Sequence, residues 1–211
     1  MDKEITRLID KYNDLEGCRK DIERTAQLLI SSYQNSGKLL LCGNGGSAAD
    51  CDHIVGELMK GFALKRPVTS SFREKLAADF PEDGEFMADH LQEALPAISL
   101  ASHAALSTAF NNDVSPDMVF AQQVYGYGEE HDVVLGISTS GNSRNVVNAM
   151  KVAKAMGLTT VGLTGESGGK MKDLCDVTIR VPWQETLDIQ ERHLPIYHAL
   201  CILLEKEFFG S

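Results

Sequence analysis

Much that would place a chain outside the ordinary run of globular domains is missing from these 211 residues. No apolar stretch approaches membrane-spanning length, and the opening Met1-Asp-Lys-Glu-Ile-Thr carries acids where a secretion signal has a basic lead and an apolar run. A cytoplasmic chain with no membrane partner is the expectation. Five cysteines are an odd number, none is spaced Cys-x-x-Cys, and Cys42, Cys175 and Cys201 stand among apolar neighbours. Reduced thiols are expected, not a disulfide framework. Basic residues are the scarcer sign, 20 against 30 acids, for a formal net charge of −10. Sequence-independent binding of nucleic acid depends on neutralised phosphates, so no nucleic-acid partner is expected, although local donors can still hold a small anion. Linkers and low-complexity runs are absent too, which leaves one domain over 1–211.

What is present is alternation. Ile5, Leu8, Ile9, Tyr12, Leu15, Ile22, Ala26, Leu29, Ile30 and Tyr33 fall at helical spacing, predicting a long N-terminal helix within 1–36, or two helices broken near Gly17. Lys38-Leu-Leu-Leu-Cys42 reads as a buried strand, the Gly-rich segment 43–50 as a turn, and 51–62 as a helix. The unit recurs as strand 132–137, polar turn 138–143 and helix 144–156 before Gly157. A third unit has strand 159–164, a turn through 165–169, a short helix and strand 177–181. Strands alternating with helices predict a parallel sheet between helical layers. Residues 69–93 are acidic and broken by Pro81 and Gly84, which reads as an insertion, either a helical hairpin or a flap; a strand near 97–100, a helix over 104–110 and a last helix from about 194 to 208 complete the chain.

Two loops follow strands and lead into helices, where free backbone N–H groups and the helix dipole favour an anion. Asn44, Gly45, Gly46 and Ser47 make the first; Ser138, Thr139, Ser140 and Ser143 with Gly141 make the second. Ser47 with Asp50 has the spacing of a capping box and Ser143 could cap its helix, but the hydroxyls of 138–143 outnumber what capping needs. The loose Gly43-x-Gly45-x-x-Ala48 pattern lacks the acid about twenty residues on that a dinucleotide site requires. Gly168-Gly-Lys-Met171 lacks the first glycine and the final hydroxyl of a nucleotide P-loop, so no nucleotide cofactor is expected.

His53 and Glu57 lie four apart on the first predicted helix, placed by that reading in its N-terminal half, and can meet one ligand together. Gln190 and His198 share roughly one side of the last helix if it is continuous, although Pro195 between them could instead leave Gln190 on an irregular lead-in. These four side chains are also a mixed nitrogen and oxygen set for a divalent metal such as zinc.

Cys42-Gly-Asn-Gly-Gly-Ser47, Gly136-Ile-Ser-Thr-Ser-Gly-Asn-Ser143, Leu163-Thr-Gly165 with Gly168-Gly-Lys-Met171, and Ile189-Gln-Glu191 closely resemble the motifs of bacterial phosphoheptose isomerases, a branch of the SIS (sugar isomerase) family. The resemblance implies a flavodoxin-like three-layer α-β-α sandwich, a homotetramer, and isomerisation of sedoheptulose 7-phosphate to D-glycero-D-manno-heptose 7-phosphate. It makes Glu57 and His198 catalytic and His53, Glu57, Gln190 and His198 the zinc set. Substrate contacts map onto Asn44, Gly45, Gly46, Asn112, Asp113, Ser138, Thr139, Ser140, Ser143 and Gln190. Departures are Gly61, beside Lys60, where the family has arginine, Asp188 where arginine is common, and the long 69–93 segment. Relatives that only bind, as sugar-phosphate sensors or as DnaA-binding partners of replication initiation, share the loops but lack the His/Glu pair and the terminal histidine. An isomerase of a shorter ketose phosphate would share the chemistry.

Overall fold

In the computed structural model, which describes residues 2–210, five strands form one sheet: β1 (Leu39–Gly43), β2 (Ala97–Ser99), β3 (Val133–Ile137), β4 (Thr159–Thr164) and β5 (Val177–Arg180). All neighbours are parallel, in the order β2-β1-β3-β4-β5. The strands are apolar on both faces because both faces are covered, as an all-parallel sheet requires. Leu39 and Leu41, Val133, Leu135 and Ile137, and Val161 and Leu163 point into one core with α1 (Asp2–Lys11), α2 (Arg19–Gln34), α3 (Gly46–Leu58) and α10 (Thr186–Phe209). The alternate residues Leu40, Cys42 and Val134 point into a second core with α7 (Val119–Tyr127), α8 (Arg144–Ala155) and Met171 of α9 (Met171–Leu174). The period of two along the strands thus builds the expected three-layer sandwich. Gly136 pairs in register with Gly162 on the second face. A Cβ at Gly136 would come within 2.9 Å of Met150 Cε, and one at Gly162 within 3.1 Å of Met171 Cε, so the missing side chains let these helices approach the sheet.

The N-terminal arm is two helices. A 3-10 segment, Asn13–Cys18, contains Gly17 and separates α1 from α2. Ile5, Leu8, Ile9, Ile22, Ala26 and Leu29 are all buried within this one chain, so the apolar face of the arm is already covered by its own core. The 69–93 insertion is a helical hairpin, α4 (Ser70–Asp79) and α5 (Gly84–His90), tied by Arg73 to Glu85 and Asp89. A Cβ at Gly84 would lie 2.2 Å from Leu76 O, so the hairpin closes only on glycine. The remaining helix, α6 (Ala104–Asp113), buries none of its residues.

Three boundaries differ from the sequence reading, and all matter for the site; the helix read over 51–62 ends at Leu58, which leaves Gly61 and Phe62 in a turn. Helix α3 starts at Gly46, five residues early, because Gly45 at φ 56 turns the chain directly into the helix. His53 and Glu57 therefore fall in its C-terminal half. Helix α10 starts at Thr186 and continues through Pro195, so Gln190 is on the helix and not on an irregular lead-in. A proline removes one donor and crowds one carbonyl, a local penalty that the apolar burial of Ile189, Ile196, Leu200, Leu203 and Leu204 along the same helix outweighs. All five cysteines are free, and among the described residues no helix is long and apolar enough to cross a membrane.

Candidate active site

Between β1 and β3 the strand order reverses, and in an open parallel sheet the crevice at such a point, beyond the carboxyl ends of the strands, is where ligands bind. The two loops expected to hold an anion leave these two strands. They are joined across the crevice by a reciprocal amide pair: Asn44 Nδ2 donates to Asn145 Oδ1 and Asn145 Nδ2 donates to Asn44 Oδ1, both at 2.9 Å. Asn145 escaped the sequence reading, since nothing marks it within the first turn of a helix.

Neither serine caps its helix. The N-cap of α3 is Gly45 and Ser47 is buried, while Ser143 sits at the N-cap of α8 without a capping side-chain bond. The Ser143 hydroxyl instead lies 3.0 Å from the Ser138 hydroxyl, and Ser143 N–H approaches Ser138 Oγ at 3.4 Å. The loop is braced from behind. Gly165 N–H donates to Thr139 O (2.9 Å), Met171 N–H to Gly141 O (3.2 Å), and Lys170 N–H to Asn142 Oδ1 (3.1 Å). Gly141 and Gly169 both have positive φ, and a Cβ on either would collide with backbone of the facing loop, at 2.1 Å from Gly168 O and 2.4 Å from Ser140 O. Glycine is required at this junction because two loop backbones touch there. The Ser138 and Ser143 hydroxyls thereby meet at the N-terminus of α8, on the loop that also carries Thr139 and Ser140.

The second group of side chains lies between α3 and α10. His53 Nε2 is 3.2 Å from Glu57 Oε1, as their four-residue spacing requires, and His53 Nδ1 is 3.0 Å from the Tyr197 hydroxyl. That hydroxyl also donates to Asp50 Oδ1 at 3.2 Å. The His198 ring stands edge-on to His53 with centroids 5.0 Å apart, and Phe62 covers it at 5.4 Å. Glu57 Oε2 and His198 Nε2 are both buried without a hydrogen-bond partner among the described residues, with Lys60 Nζ 3.5 Å from Glu57 Oε2. Burial, and then the neighbouring His53, pull the His198 pKa below the ordinary histidine value against the opposing pull of Glu57, so the ring is neutral near pH 7. Burial likewise raises the Asp50 carboxyl above its usual range, although the Tyr197 hydrogen bond opposes it.

Other expected residues are placed differently. Gln190, on the first turns of α10, puts its amide over the start of α3, where a Cβ at Gly46 would meet Nε2 at 2.6 Å. Asn112 and Asp113, at the end of exposed α6, bond to one another (2.8 Å) and within one chain make no hydrogen bond to either loop. Gly61 closes a tight turn in which a Cβ would lie 2.4 Å from Leu64 O, and its N–H donates to Gln92 Oε1 at 2.6 Å. A side chain has no room at that position, and Lys60 is the cation that reaches Glu57. Tyr197 and Asp50 were not anticipated; the signal for Tyr197 was a hydroxyl beside His198 on a helix whose neighbouring residues are apolar.

The donor chemistry of His53, Glu57, Gln190 and His198 suits a divalent ion, which would satisfy His198 Nε2 and Glu57 Oε2, the buried atoms without a hydrogen bond among the described residues. Their spacing does not yet make a cage: among the described residues no three His, Cys, Asp or Glu side chains converge on one point.

Comparison with known proteins follows the motifs. The family model for the SIS domain matches residues 3–76 and 87–165, passing over the tip of the α4–α5 hairpin. The phosphoheptose isomerase of Clostridium acetobutylicum is 39% identical over 192 residues, covering 91% of this chain and 85% of that protein. That of Akkermansia muciniphila is 36% identical over 208 residues, covering 99% and 96%. The solved structure of a phosphoheptose isomerase from Francisella tularensis superposes with a TM-score of 0.77 at 31% identity, covering 93% of this chain and 91% of that one.

Proposed function

Because the chain belongs to the SIS domain family and groups with its phosphoheptose isomerases, we propose that this enzyme interconverts sedoheptulose 7-phosphate and D-glycero-D-manno-heptose 7-phosphate through an enediol. Moving a proton between adjacent carbons needs a base near the carbon and an acid at the carbonyl oxygen. The observation that carries the reading is a pair of buried atoms on two facing helices: His198 Nε2, with no hydrogen-bond partner among the described residues, and Glu57 Oε2, which has no hydrogen bond there and is met by the Lys60 ammonium at 3.5 Å. A buried nitrogen such as His198 Nε2 costs about 1 to 3 kcal/mol if nothing ever meets it, so a ligand that bonds it beside the Glu57 carboxylate accounts for its retention. In this reading Glu57 takes the carbon-bound proton and His198 handles the oxygen-bound one. The roles exchange with direction. The hydroxyls of Ser138, Thr139, Ser140 and Ser143, with Asn44, Gly45, Gly46 and Ser47, hold the phosphate, and that remote binding energy positions the reacting carbons. Asn112, Asp113 and Gln190 are assigned to the sugar.

His53, Glu57, Gln190 and His198 would hold zinc, which would polarise the substrate carbonyl. A homotetramer is part of the same proposal. The support for assembly is α6, a helix with no fully buried residue that packs Phe110 against the second core but exposes Leu106 and is followed by exposed Val114, since a helix so little covered gains little stability by itself.

The deciding experiment follows aldose phosphate formation by NMR from sedoheptulose 7-phosphate and from shorter ketose phosphates, with the parent chain and Glu57→Gln. Turnover of the heptulose that falls by about 100-fold or more in the variant, with phosphate binding retained, is expected. Near-normal turnover by Glu57→Gln would sink the assignment, and binding of sugar phosphates without turnover by the parent would favour the sensor reading.

A further inference from the structure

Arg66 and Glu205 are fully buried and paired, Arg66 Nε to Glu205 Oε1 at 2.9 Å. Neither is hydrogen-bonded to a side chain of the candidate site, yet each is bonded to backbone that carries it. Arg66 Nη1 donates to Leu58 O at 2.7 Å and Nη2 to Glu57 O at 3.2 Å, so the guanidinium satisfies carbonyls at the end of α3 that the helix itself leaves open. Glu205 Oε1 accepts the Phe62 N–H (2.7 Å), and Oε2 accepts those of Ala63 (2.7 Å) and Leu64 (3.0 Å). The carboxylate thereby fixes the turn that lays Phe62 on the His198 ring. His198 and Glu205 are seven residues apart on α10, hence on one face, two turns from each other.

We propose that Arg66 and Glu205 are positioning residues that hold Glu57 and His198 in their working relation, a proposal that rests on the isomerase reading above. The pair is a staple between the helix that carries the base and the helix that carries the acid. The ion pair by itself adds little, because buried ion pairs seldom add net stability, but an apolar pair of similar volume would leave the Phe62, Ala63 and Leu64 N–H groups and the Glu57 carbonyl without these partners and should lower the melting temperature. What it would not supply is the fork to the Glu57 and Leu58 carbonyls and the triple acceptor for the turn. The pair's role is therefore geometric, and its loss should appear in turnover more than in binding.

The test compares the full chain with Arg66→Lys and with the double variant Arg66→Met, Glu205→Leu. It measures turnover of sedoheptulose 7-phosphate, thermal unfolding, calorimetric binding of inorganic phosphate, and the His198 ring resonances in histidine-labelled protein. Expected is a kcat lower by about 100-fold, the scale of an ångström's misplacement, with KM and phosphate affinity nearly unchanged and the double variant melting below the parent while still unfolding cooperatively. A double variant that both melts and turns over like the parent would overturn the proposal. If the double variant folds poorly, Arg66→Lys decides, since it keeps the charge and loses the fork; unchanged kcat there also overturns it. If the parent isomerises no sugar phosphate, the isomerase reading fails by itself, and the staple is judged by the His198 resonances, which should shift and broaden in Arg66→Lys and overturn the proposal if they do not.

Discussion

Replacing Gly141 with alanine probes the anion loop at its tightest point. The residue has φ 65, a region that costs a non-glycine residue about 1 to 2 kcal/mol. Its Cβ would stand 2.1 Å from Gly168 O, where ordinary contact begins at 3.4 Å, and both atoms belong to backbone that cannot rotate away. One loop must therefore retreat by about 1 Å. That displacement strains the Gly165-to-Thr139, Met171-to-Gly141 and Lys170-to-Asn142 hydrogen bonds, each worth about 1 kcal/mol. With the bonds only partly lost, the sum is about 3 kcal/mol, or a melting temperature lower by about 6 to 12 °C for a chain of this size. Calorimetry should show inorganic phosphate bound about tenfold more weakly or worse. Gly126→Ala is the control: Gly126 is exposed on α7 with nothing within 4 Å of a Cβ, and the change should stabilise by about 0.5 to 1 kcal/mol. An unchanged melting temperature in Gly141→Ala would refute the packing argument, and a lowered one with unchanged phosphate affinity would refute the loop as the anion site.

Removing one hydroxyl in Ser143→Ala should weaken phosphate binding by about tenfold while leaving α8 intact, because that hydroxyl pairs with Ser138 and does not cap the helix; a melting temperature lower by many degrees with unchanged affinity would contradict this. Acid should destabilise the chain through His193, which is fully buried and whose pKa burial pushes down to about 4. The unfolded chain binds a proton below about 6.5 that the folded one refuses until about pH 4, so stability falls by about 3 kcal/mol as pH drops through that window and levels off below it. Denaturant melts at stepped pH should show this slope, and His193→Leu should flatten it; an equal slope in the variant would assign it elsewhere. If zinc is held as proposed, purified protein should retain about one metal per chain by elemental analysis, lose it in His53→Ala, and melt lower after chelation; metal-free protein of unchanged melting temperature and full activity would remove zinc from the site.

The alternation of strands and helices was legible because both periodicities are written locally: runs such as Leu39-Leu-Leu-Cys42 have no polar face to expose, and 144–156 repeats at helical spacing before Gly157. Helix starts were not. Gly45 and Gly46 look like loop residues, yet one residue at positive φ begins α3 at once, and Pro195 looks like a boundary, yet burial of α10 carries the helix through it. The hairpin within 69–93 was one of two forms the sequence allowed, and the close packing of Gly84 against the Leu76 backbone accommodates it. Within the site, residue types with obvious chemistry were visible, and residues that act by bracing were not. Asn145 and Arg66 carry no local mark; Glu205, a charge on the buried face of α10, is the one whose position could have drawn notice.

By itself the sequence determined the layer architecture and the two loops at helix N-termini, because each depends on residues near one another in the chain; Glu57 and His198, distant in the chain, were joined as a candidate pair by the family resemblance. Only the tertiary structure decided that Ser143 answers Ser138 instead of capping a helix, that Asn44 and Asn145 tie the crevice shut at its base, and that Arg66 and Glu205 link α3 to α10. Asn44 with Asn145 and Arg66 with Glu205 join segments whose separation along the chain places no constraint on either, and Ser138 with Ser143 depends on how one loop folds back on itself; the folded backbone brings each pair within hydrogen-bond reach.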